Sequence, residues 1–92
     1  MAEMILNHRH GGIDGVPLVM APKDHDLEVV RVEGGRGFVF RLGTMGLISG
    51  ARVTLESGGK SGPVLISLGG TRLILGHGMA QRIMVRAVSN SA

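Results

Sequence analysis

The clearest alternation in the chain runs from Ala51 to Glu56, where Ala51, Val53 and Leu55 are apolar and Arg52, Thr54 and Glu56 are polar. A period of two marks a strand with one buried face. Val64, Ile66 and Leu68 begin another strand, Gly69-Gly70 is a two-residue hairpin signal, and Thr71 to Leu75 returns antiparallel. Leu27 to Val32 is rich in β-branched residues and reads as a strand with imperfect alternation, and Ile83 to Val85 reads as the last strand. Between these the period changes. Phe38, Leu42 and Met45 stand at i, i+4 and i+7, one face of a short helix. Gly46 falls where a left-handed C-terminal cap is wanted, with Leu47 placed to touch Leu42 in the Schellman pattern. Gly43, inside that helix, costs about 1 kcal/mol relative to alanine, so the helix needs tertiary support. Gly76 to Gln81 is a turn or a single helical turn. Four or five short strands, a hairpin and a brief helix predict a small, mostly β barrel, whose closure would hide its strand edges.

Composition sharpens this picture. Sixteen glycines and three prolines in 92 residues fit many tight turns joining short strands. The length fits one domain, expected over residues 17–87, with a polar, glycine-rich N-terminal extension over 1–16 and a tail over 88–92. There is no cysteine, which excludes disulfides and thiolate metal sites and fits a cytosolic life. No apolar stretch approaches the length of a membrane span, and the N-terminus does not read as a signal peptide. A net charge of +3, from 10 basic and 7 acidic residues, is too small for a dedicated nucleic-acid polyelectrolyte binder.

Several blocks carry a family resemblance. Val29-x-x-Val32-x-Gly34-Gly35, followed by Arg41-Leu42-x-x-Met45-Gly46-Leu47-x-x-Gly50-x-x-Val53, resembles the ferrous-iron transport protein A family (FeoA). Gly62-Pro63 before a strand, the Gly-Gly turn, and Met79-Ala80-x-x-Ile83-x-Val85 continue the match over about residues 17–86. The resemblance implies an SH3-like barrel with one or two short helical segments. It also implies a cytosolic accessory protein of bacterial ferrous-iron uptake, partnered with the membrane permease that carries a GTP-binding domain. The same barrel type occurs in metal-dependent repressors, which keeps a metal-responsive module open as an alternative. The N-terminal extension through Asp14 has no counterpart in the family pattern.

Catalysis has little to work with. No serine, histidine and acid are grouped in a nucleophile motif, and the chain is expected not to be an enzyme. Gly58-Gly59-Lys60-Ser61 resembles the end of a phosphate-binding P-loop. Thr54, followed by Leu55, occupies the position of the required first glycine, however, and Gly62-Pro63 and a strand follow where a helix is needed, so the segment reads as a mobile hairpin loop. Asp24-His25-Asp26 offers oxygen and nitrogen donors for a divalent transition metal such as iron or zinc, but needs a further ligand from elsewhere. His8 and His10 form a second pair of donors in the extension, and His77, between glycines, is expected to be exposed. Only Phe38 and Phe40 are aromatic, too few to line a proline-peptide groove or to stack nucleic-acid bases. A weak nucleic-acid-binding barrel is therefore the least favoured alternative. The remaining candidate is a docking surface: Arg41, Met45, Leu47 and Ile48 lie on the short helix and the turn after it, and these apolar groups cannot all point inward.

Overall fold

The alternation at residues 51–56 becomes strand β3, Arg52–Ser57, with Val53 and Leu55 turned into the core. The structure, a computed structural model, describes residues 15–88. Strand β4, Val64–Leu68, buries Val64 and Ile66 in the same way, and pairs in register with β5, Thr71–Leu75, from Val64 opposite Leu75 to Leu68 opposite Thr71. Gly69 and Gly70 both have positive φ, the backbone that a two-residue type I′ hairpin requires. Strand β2, Asp26–Val32, pairs with β3 on one side and with β6, Ile83–Ala87, on the other. Its ladder with β6 shifts register between Val29 and Arg31. That bulge inserts one residue at Val30 and is the physical reason the alternation along 27–32 is imperfect.

A two-residue strand, β1 (Val16–Pro17), pairs with β6 and completes an antiparallel sheet of order β1-β6-β2-β3-β4-β5. Val16 was expected in the N-terminal extension and is instead the first residue of the sheet. The mostly β, small-barrel expectation holds, but the ladder stops short of closing, with β1 and β5 as its ends. A 3-10 turn at Leu18–Met20 follows β1 and buries Leu18. Fourteen apolar residues form one core cluster, and among the described residues no polar or charged residue is buried with them. A core this dry has no buried polar group to satisfy and is held by packing alone.

Helix α1, Arg36–Thr44, spans the connection from β2 to β3 and buries only Leu42. Its exit is a full Schellman motif. The N–H of Leu47 donates to the carbonyl of Leu42 and the N–H of Gly46 to that of Gly43, each at 3.0 Å, with Gly46 at φ +95°. Leu42 and Leu47 enter the same core cluster. A short helix α2, His77–Ala80, precedes β6 and buries Ala80.

Two glycines of α1's exit should respond oppositely to a methyl group. At Gly43 an added Cβ meets only the Ile48 side chain, at an ordinary 3.6 Å, and φ is not positive. Gly43→Ala should therefore raise stability by about 1 kcal/mol. At Gly46 the backbone is left-handed and an added Cβ crowds the Leu68 side chain at 3.3 Å. Gly46→Ala should lower stability by about 1–2 kcal/mol. The urea midpoint at constant slope reads both.

Candidate functional site

A nine-residue helix that buries one leucine leaves most of its surface to something else. Phe38 is partly buried against the core, and the Arg82 guanidinium lies over its ring, 5.3 Å from the centroid, in a cation–π contact. The backbone holds Arg82 there, because the N–H of Glu33 donates to the Arg82 carbonyl at 2.8 Å. Phe38 and Leu42, one turn apart, therefore make the inward stripe of α1.

The outward stripes are also apolar. Phe40 is 74% exposed and Ile48 57%, with Val39 and Met45 exposed to a lesser degree. Val39 and Gly43 are i, i+4 neighbours, and the Ile48 side chain lies beside the bare backbone of Gly43, so 39, 43 and 48 run in one line. Phe40 flanks that line. The only charged residues on α1 are Arg36 and Arg41, both exposed and neither in an ion pair among the described residues. The result is an apolar strip beside two cations, a form that matches an apolar, acidic partner surface.

Of the four residues expected at a docking surface, Arg41, Met45 and Ile48 do lie exposed on the helix and its exit. Leu47 does not: it is 1% exposed and belongs to the core. The reason is the cap. The left-handed turn at Gly46 and the bond from Leu47 back to Leu42 swing residue 47 under the helix and send 48 out. Phe40 is the surface residue that the sequence reading assigned no role. The signal was present, since residue 40 stands about 200° around a helix from Phe38, so a core-facing Phe38 puts Phe40 in solvent.

The metal candidates fare differently. Asp24, His25 and Asp26 are all exposed. Asp24 adopts a left-handed turn (φ 59°), its N–H donates to the Leu55 carbonyl at 2.9 Å, and His25 Nδ1 donates to the Lys23 carbonyl at 2.9 Å. These bonds shape a turn at the entry to β2. Among the described residues no group of three His, Asp or Glu side chains is placed to hold an ion, so the triplet does not fit a closed metal site by itself. His8 and His10 lie outside the described residues. His77 was expected to be exposed. It is half-buried instead, because α2 packs against the 3-10 turn, and its Nδ1 is shut from solvent without a hydrogen-bond partner. The arginines do not form a nucleic-acid stripe: Arg31, Arg72 and Arg86 pair with Glu33, Glu56 and Glu28, and Arg82 covers Phe38. No helix among the described residues is long and apolar enough to cross a membrane.

Comparison with known proteins agrees with this architecture. The FeoA domain profile matches residues 16–87. A protein of Methanocaldococcus jannaschii, provisionally named Fe(2+) transport protein A, is 33% identical over 69 residues, 75% of this chain and 83% of its own length. A crystal structure of an iron uptake regulatory protein, FeoA, superposes with a TM-score of 0.72 at 37% identity, covering 79% of this chain and 97% of that one. The zinc complex of Stenotrophomonas maltophilia FeoA, described as a prokaryotic SH3 domain protein, superposes with a TM-score of 0.64 at 26% identity over 74% of this chain and 86% of that one. A profile match spanning β1 to β6 and a one-third-identical relative of nearly the same extent place this SH3-like chain in the FeoA family, whose members belong to ferrous-iron transport.

Proposed function

We propose that this chain is a non-catalytic, cytosolic accessory protein of ferrous-iron uptake that docks on the cytosolic side of the iron permease carrying a GTP-binding domain. The observation that carries the reading is the exposed face of α1 and its exit: Phe40 and Ile48, flanked by Arg36 and Arg41, on a chain related to FeoA proteins. A large aromatic held in solvent by a helix and a β-branched residue held there by its capped exit lose little conformational freedom on binding, which suits them as anchors. The arginines would steer the encounter toward an acidic surface and fix its register. The S. maltophilia relative has been suggested as an activating factor for ferrous-iron transport, in line with a regulatory role. Regulation requires only that the chain bind one state of the GTP-binding domain or of the pore more tightly than another.

The metal-responsive alternative draws on the zinc complex of that relative. In this chain Asp24, His25 and Asp26 would need a donor from another segment or molecule, so the docking reading takes precedence. Iron, in the docking reading, is the cargo of the partner.

Equilibrium binding to the purified permease, with and without guanine nucleotide, tests the docking reading. Wild type should bind saturably, with an affinity that depends on the nucleotide state. Phe40→Ala and Ile48→Asp should each weaken binding by about 10- to 30-fold, as expected for anchors worth about 1.5–2 kcal/mol. Both should leave the far-UV spectrum and melting temperature near those of wild type. Wild-type affinity in the two variants would remove α1 as the surface, and no binding by folded wild type would remove the partner. Leu47→Asp, by contrast, buries a charge in the core and should unfold the domain, shown by loss of its cooperative melt.

A further inference from the structure

The segment 58–61, too irregular for a P-loop, lines an open pocket of about 910 Å³ together with the 3-10 turn, Lys23 and α2. Val19, Met20 and Ala21 supply an apolar wall, and Ser61 and Gln81 supply uncharged polar groups. Every ionisable residue that lines it is basic: Lys23, Lys60 and His77. Neither lysine is in an ion pair among the described residues, where the carboxylates of Glu28, Glu33 and Glu56 are taken by arginines. Asp24 and Asp26 follow Lys23 in the chain but do not line the pocket.

The loop is held in place by backbone packing. Gly59 is buried at φ +122°, and an added Cβ would stand 3.0 Å from the Val19 carbonyl. The loop backbone therefore presses directly on the 3-10 turn, and Lys60 and Ser61 follow at a set position beside it. A hairpin loop expected to be mobile is thus one wall of a concavity, and two separate stretches of sequence bring their lysines to it, with His77 from a third.

We propose that this pocket binds a small organic phosphate, its phosphoryl group seated between Lys23 and Lys60 and its uncharged body against Val19 and Ala21. Gathered unpaired cations around a concave, partly apolar surface raise the local concentration of anions and repel metal cations, so free ferrous iron is the wrong ligand here. The Ser61 hydroxyl and lysine ammonium groups are donors suited to phosphate oxygens. The volume exceeds the need of an inorganic anion and lies within the range of small-molecule sites. No Phe, Tyr or Trp lines the pocket and the half-buried His77 imidazole is its one aromatic ring, so a nucleobase finds little stacking platform, and an aliphatic or sugar phosphate fits better than a nucleotide. This site shares no residue with the α1 surface, and either reading can fail without the other.

Titration of the ¹⁵N-labelled chain, followed by amide shifts at constant ionic strength, decides the matter. Glycerol 3-phosphate should give saturable shifts centred on Lys23, Gly59, Lys60, Ser61 and His77. Inorganic phosphate should bind the same residues more weakly, and glycerol and sodium chloride should not bind. Lys23→Gln and Lys60→Gln, both at exposed positions, should each weaken glycerol 3-phosphate about tenfold with the rest of the spectrum intact. Phe40→Ala should leave the titration unchanged. Linear, unsaturated shifts with both phosphates, shifts centred on the arginines of α1, or unchanged binding in the double lysine variant would each overturn the proposal.

Discussion

The hydrogen bond from the Leu47 N–H to the Leu42 carbonyl sets how this molecule divides between inside and outside. It closes α1, reverses the chain through the left-handed Gly46, and delivers two leucines to the core from opposite sides of the turn. With both leucines committed, the helix has no second stripe to bury. Phe40 and Ile48 are left in solvent by the same geometry that completes the core. The surface proposed for docking is the other side of a packing decision, and needs no separate device to present it.

The core shows the same economy of means. Among the described residues all of its buried side chains are apolar, so no internal hydrogen-bond network among them helps to specify the fold. Specificity comes from β alternation and from places where the backbone allows only glycine. The ion pairs lie on the surface, among them Arg72 with Glu56 and Arg86 with Glu28, and exposed pairs of this kind contribute about 0.2–1 kcal/mol. Small changes in the apolar layer should therefore matter more than changes in surface charge, and basic residues are free to be placed for binding.

Much of the fold was legible in the sequence. The alternation of β3 and the Gly-Gly hairpin were readable because each is local: a period of two or a turn dipeptide carries its own physical cause. The Schellman cap was readable for the same reason, and the Arg41-Leu42 to Gly50 block added the family. What escaped depends on distant partners. The bulge at Val30 exists because β2 must serve β3 and β6 at once. The assignment of Leu47 inward and Ile48 outward turns on the φ of Gly46, which composition does not contain. His77 and Lys60 lie 17 residues apart and Lys23 is farther still, so no spacing rule could have joined them in one pocket.

The pairing of Val16 with Val85 and of Pro17 with Met84 places the start of β1 beside the far end of β6. Gly15 and Val88, the limits of the described chain, consequently leave the sheet at the same end. The path of the described chain thus returns almost to its start, and its seam lies where the end of β6 meets the beginning of β1. Domains whose ends meet tolerate reordering of the chain. A short linker across that seam, with new ends opened at the exposed Gly69-Gly70 turn, would keep every strand neighbour in place and make β5 the first and β4 the last strand along the chain, with β1 and β5 still at the edges of the sheet.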